Sequence, residues 1–106
     1  MNNFQRLSVE YNGIYGTIDD YTSDANLMNY LFKLKEAITN ADYDTIMYTL
    51  SGIDKWYDEN IGAISSNGYV CNLASHQKNM RLIKEILSGL REDECVPTTP
   101  VGIDAP

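Results

Sequence analysis

His76 is the single histidine of the chain, so base-assisted nucleophilic catalysis would require it to meet Cys71 or a serine. No third group is spaced to orient its ring. His76 instead falls in line with Met80 and Ile83 at helical steps, which reads as a partly buried or capping residue rather than a base. Asp54 and Asp58 share a helix face at an i,i+4 spacing that could chelate a cation or form an acid and base pair. Two like charges so placed read as solvated carboxylates, mildly destabilising. Asp42 and Asp44 suit the first turn of a helix, where the dipole favours negative charge. Asp19-Asp20 lacks the ligand spacing of a calcium loop. The pairs Asn12-Gly13 and Asn67-Gly68 lack the Lys and Ser/Thr of a phosphate loop. Cys71 and Cys95 form no CxxC, and one histidine cannot complete a metal set with them. No catalytic residue, metal site or cofactor is expected, and the chain reads as non-enzymatic.

Residues suited to contact are better represented. A helix with its core at Ile46, Leu50, Ile53 and Tyr57 throws Asp44, Tyr48, Ser51, Lys55, Asp58 and Glu59 onto the opposite face. That is an acidic strip with a tyrosine in it. It is suited to a cationic partner, which the carboxylates would steer and the ring would anchor. Met28 and Phe32 project away from the apolar stripe of the preceding helix, to be covered by a second layer of the domain or by a partner. Lys78, Arg81, Lys84 and Arg91 give the last helix a basic stripe, an alternative surface for nucleic acid. It holds no aromatic for base stacking, so direct binding should be weak and salt-sensitive.

Fifteen acidic residues against eight basic ones give a net charge of -7, which argues against unspecific attachment to nucleic acid or anionic membrane. No window has the length of a membrane span, and no secretory signal pattern opens the chain. A cytoplasmic setting with reduced thiols is expected.

The elements that position these residues begin with Asn12-Gly13. Leu7, Val9 and Tyr11 alternate with polar residues before the pair, and Ile14, Gly16 and Ile18 alternate after it. A type I′ turn there pairs Leu7 with Ile18 and Val9 with Gly16 in an antiparallel β-hairpin, with positive φ at Asn12 and Gly13. Phe4, Leu7, Tyr11, Ile14 and Ile18 also recur at helical spacing, but Gly13 and Gly16 would penalise that helix by roughly 1.5 to 2 kcal/mol. Thr22, Ser23 and Asp24 compete to cap a helix running to about Thr39, with Leu27, Leu31, Leu34 and Ile38 as its core stripe and Tyr30, Ala37 and Ala41 widening it. Asp42 caps the helix bearing the acidic strip, which Gly52 weakens without ending. A second hairpin across Asn67-Gly68, near residues 63–72, competes with a plain helix-to-helix loop. Ser75 caps a last helix to Arg91, packed through Met80, Ile83, Leu87 and Leu90. The expected fold is therefore α+β, one domain over residues 1–91 with about three helices on a small antiparallel sheet; the nearest alternative is mainly α-helical with a lone hairpin. Residues 92–106 are expected to form an irregular or flexible C-terminal tail.

The expected function is a small acidic protein-binding module that inhibits or modulates a basic, nucleic-acid-handling protein. Antitoxins, immunity proteins and anti-defence proteins such as anti-CRISPR proteins share this profile, an analogy of type only. The alternatives are a small nucleic-acid-binding protein using the last helix and a small-ligand-binding domain. Pairing of the acidic strip with the basic stripe of another copy would give a homodimer.

Overall fold

The computed structural model describes residues 1–21, 24–66 and 70–96, with side-chain surroundings for all of these except 20, 21, 65, 66 and 70–72. Four α-helices follow one another: α1 (Asn3–Tyr21), α2 (Ala25–Thr39), α3 (Tyr43–Ser66) and α4 (Val70–Gly89), with a short 3-10 turn at Glu92–Glu94. Short connections make sequence neighbours antiparallel. α1 packs on α2, α2 on α3, α3 on α4, and α4 returns to α1, closing a ring of helices around one core.

The β-hairpin is absent, and with it the α+β class. α1 runs without a break through Asn12 and Gly13, and among the described residues no strand occurs. Phe4, Leu7, Tyr11, Ile14 and Ile18 are all buried on the face turned to the core. Full burial of a large apolar side chain contributes about 1.5–3 kcal/mol, so five of them outweigh the helix penalty of two glycines several times over. Val9, which the hairpin would have buried, is 65% exposed. The start of α1 is fixed by a reciprocal cap: the Gln5 amide donates to Asn2 Oδ1 at 2.8 Å, and the Asn2 amide donates to Gln5 Oε1 at 2.9 Å.

The second hairpin fails as well. Residues 63–66 belong to α3 and residues 70–72 to α4, while Asn67-Gly68 lies outside the described residues. The alternative with a lone hairpin falls with the first.

α2 begins at Asp24, whose carboxylate accepts from the Leu27 amide at 2.9 Å, and buries Leu27, Leu31, Leu34, Ala37 and Ile38. Thr22 and Ser23, its rivals as cap, lie outside the described residues. The helix closes in a Schellman motif. The Asp42 amide donates to Ala37 O at 2.9 Å and the Ala41 amide to Ile38 O at 3.1 Å, with Ala41 in the left-handed region at φ 52°. Asp42 then caps α3, accepting from the Thr45 amide at 3.2 Å and the Thr45 hydroxyl at 2.6 Å. These bonds hold its carboxyl below the usual range.

α3 buries Ile46, Leu50, Ile53, Tyr57 and Ile64. α4 starts ahead of Ser75, which is an interior residue, and its buried seam is His76, Asn79, Ile83 and Ile86, with Leu82 beside it and Leu90 buried just past its end. Met80 and Leu87 flank the core instead of filling it. Exposed pairs bridge α1 and α4 on the outside, Arg6 to Glu85 at 2.7 Å and Lys78 to Glu10 at 3.9 Å, and the Asn3 amide donates to Glu94 of the following 3-10 turn at 3.0 Å. No helix among the described residues is long and apolar enough to cross a membrane.

Candidate functional site

A groove of about 520 Å³ runs between α2 and α3. α2 supplies Asn26, Asn29, Tyr30 and Lys33 with Asp24 at its cap; α3 supplies Tyr48, Lys55, Trp56, Glu59 and Asn60. The groove continues past Lys33 to Glu36, Asn40, Asp42 and Thr45 at the α2–α3 turn. Its walls therefore combine aromatic rings, amides and charges of both signs.

Tyr30 is its organising residue. The ring lies on the bare backbone of Gly52, so closely that a Cβ there would stand 2.6–2.8 Å from three ring atoms. From that seat Tyr30 meets Tyr48 edge-on, with ring centres 5.8 Å apart and planes at 61°. Hydrogen bonding with Tyr48 raises the Tyr30 hydroxyl above its ordinary pKa. Tyr48 remains 60% exposed, an amphipathic surface held in place by its neighbour. Trp56, further along α3, packs edge-on against Tyr57 at 5.3 Å and anchors that wall to the core.

The structure distributes the acidic strip unevenly. Tyr48, Lys55 and Glu59 line the groove, and Asp44 is exposed one turn before Tyr48. Asp58 turns the other way, toward α4, where Lys84 binds Asp54 at 2.8 Å and reaches Asp58 at 3.8 Å. The Asp54 hydrogen bond, the largest cause, raises the Lys84 ammonium. Glu59 is matched by Lys55 at 3.9 Å. The strip thus presents less negative charge than its sequence suggests: Asp44 has no ion pair among the described residues, and Glu36 and Asp42 line the turn end of the groove together with Lys33.

Met28 and Phe32 lie on the opposite flank of α2, toward α1. Met28 packs against the core. Phe32 stays 57% exposed beside Tyr15, with ring centres 6.2 Å apart, in a smaller hollow lined also by Tyr11, Asn12 and Lys35. The expected basic stripe is broken up: α4 ends at Gly89, so Arg91 lies beyond it and pairs with Asp93 at 3.0 Å, while Lys78 meets Glu10 and Lys84 meets Asp54. Only Arg81 of that set has no carboxylate among the described residues. No three His, Cys, Asp or Glu side chains among the described residues converge as ligands for a metal.

Comparison with known proteins adds one relative. No family model matches the chain, and no solved structure matches it. It is similar to the uncharacterized protein YddK of Bacillus subtilis (strain 168), with 30% identity over 90 residues, 85% of this chain and 34% of that protein. The chain spans about one third of the length of the curated relative it matches.

Tyr30, Trp56, Asn26, Asn29, Asn60 and Lys33 are groove residues that sequence reasoning passed over. Tyr30 sits beside the apolar stripe of α2 and reads there as core. Gly52 carried the clue, because a glycine inside a helix that does not end there marks a close approach by another group.

Proposed function

We propose that the chain is a non-enzymatic recognition module and that the α2/α3 groove is its protein-binding surface. The observation that carries this reading is the Tyr30–Gly52 seat. A helix-interior glycine costs about 1 kcal/mol relative to alanine, and here it admits a ring that holds the exposed Tyr48 in one orientation. A pre-positioned tyrosine among amides and mixed charges is the chemistry of an anchor residue in a protein interface. The net charge of -7 and the carboxylates at Glu36, Asp42 and Asp44 favour a partner with a basic surface. A nucleic-acid-handling protein that the module inhibits or modulates in the cytoplasm fits that description. The alternative through the basic last helix is less well supported, since three of its four cations already hold carboxylates.

Two substitutions test the groove. Tyr48→Ala removes the anchor, and Gly52→Ala leaves α3 intact while its new Cβ displaces the Tyr30 ring. Proteins captured by the immobilised chain from its host, identified and quantified, should be lost with both variants, while circular dichroism shows unchanged helix. Equal capture by the unmodified chain and both variants overturns the reading.

A further inference from the structure

We infer that the α2/α3 groove receives the α1/α4 edge of a second copy of this chain, so that copies join head to tail; the inference rests on the reading of the groove as a protein-binding surface. The two edges lie on opposite sides of the ring of helices and carry opposite surplus charge. On the groove side, Asp24, Glu36, Asp42 and Glu59 outnumber Lys33 and Lys55 along the lining, and Asp44 stands exposed one turn before the exposed Tyr48. On the far side, a shallow groove of about 160 Å³ is lined by Arg6, Glu10, Lys78, Arg81, Leu82 and Glu85. Arg6 is matched there by Glu85 and Lys78 by Glu10, which leaves Arg81 as the surplus cation, exposed between two satisfied pairs.

A guanidinium stacks on an aromatic face and forks onto carboxylates, and Tyr48 with Asp44 one turn before it on α3 offers both. Like edges do not suit one another. Two α2/α3 faces would oppose their carboxylates, and two α1/α4 faces would oppose their Arg81 residues. The contact is therefore heterologous, and the assembly keeps one free face of each kind at its two ends. α2 has 15 residues, so its groove is about 22 Å long. A face of that length two helices wide buries on the order of 900 Å² in total, below the range of stable specific interfaces and in that of weak, transient contacts. Association should accordingly be weak and screened by salt.

Sedimentation velocity of the full chain, from low micromolar to near-millimolar concentration, tests this. The mean mass should rise beyond that of a dimer with concentration and fall again on adding salt. Arg81→Ala and the double variant Asp44→Asn/Tyr48→Ala, each alone, should stay monomeric. Mixed, they should form a one-to-one pair and grow no further, because only one complementary pair of faces remains. Should the double variant lose helix, a charge exchange replaces it: Arg81→Glu and Asp44→Arg each fail alone and associate when mixed. A monomer at every concentration, a dimer that does not grow, or variants that ignore each other on mixing overturns the inference. A monomeric chain that still loses its captured protein on Tyr48→Ala overturns this inference alone and leaves the groove reading standing.

Discussion

The Tyr57 hydroxyl is the hub of a polar cluster at the α3–α4 contact. It lies 3.1 Å from His76 Nδ1 and accepts from Asn79 Nδ2 at 3.1 Å, and Tyr57 and His76 are fully buried. Burial pushes the Tyr57 phenol up to about 12, against a smaller lowering by Asn79, so it stays protonated and able to donate to a neutral imidazole. Burial also lowers the His76 pKa from its ordinary 6.5. The unfolded chain therefore takes up a proton near pH 6.5 that the folded chain refuses until lower pH. The stability contributed by the neutral ring is full above that value and declines as pH falls through the interval down to the folded pKa. Urea unfolding measured between neutral and mildly acidic pH should show this decline, and His76→Gln should abolish it. Tyr57→Phe removes a partner from both His76 and Asn79 and should cost about 1–3 kcal/mol at neutral pH. A loss near zero would show that the cluster adds nothing to packing alone.

At the scale of elements, the legible helices were those whose periodicity and caps agreed. Leu27, Leu31, Leu34 and Ile38 after Asp24, and Ile46, Leu50, Ile53 and Tyr57 after Asp42, give α2 and α3 with both caps in place. α1 reads locally as a hairpin because Asn12-Gly13 offers strong turn chemistry, while the burial that decides the matter depends on helices far along the chain. Asn2 and Gln5 were nonetheless a readable capping box just before the apolar run. α4 was read in a rotated register, since its seam includes His76 and Asn79, polar types whose burial depends on the Tyr57 hydroxyl. The groove was half legible: Tyr48 follows from helix geometry, but Tyr30 on Gly52 is a contact between helices that no periodicity displays. The α2–α3 turn carries its own prediction. Ala41 occupies a left-handed position that costs an L-residue roughly 1–2 kcal/mol, so Ala41→Gly should raise stability by up to about 1 kcal/mol after glycine's greater unfolded-state freedom and the lost methyl contact are counted. Unchanged or lower stability in thermal unfolding would mean that the Ala41 methyl contributes more than its backbone strain costs.

At the scale of the whole molecule, the ring of helices depends on α1 being a helix over its full length. Only then do Phe4, Leu7, Tyr11, Ile14 and Ile18 reach the core together while Arg6 and Glu10 meet α4 on the outside. Exposed ion pairs contribute about 0–1 kcal/mol each, so the apolar face of α1 closes the ring and the pairs set its register. The two glycines of α1 test this topology by the sign of one effect. A Cβ added at Gly13 or Gly16 meets nothing within 4 Å, and both residues lie inside continuous helix. Replacing both with alanine should then stabilise the protein by roughly 1.5–2 kcal/mol, the gain in helix propensity. For a domain near this size each kcal/mol raises Tm by roughly 4–8 °C, so the double variant should melt clearly later in a cooperative transition. A hairpin turn at Asn12-Gly13 would require positive φ at Gly13, and the same Gly13→Ala substitution would destabilise it. Gly52→Ala is the internal contrast: it offers the same gain in propensity, but the displaced Tyr30 ring should cancel much of it. A double variant that melts earlier than the unmodified chain would overturn the continuous α1 and the four-helix ring built on it.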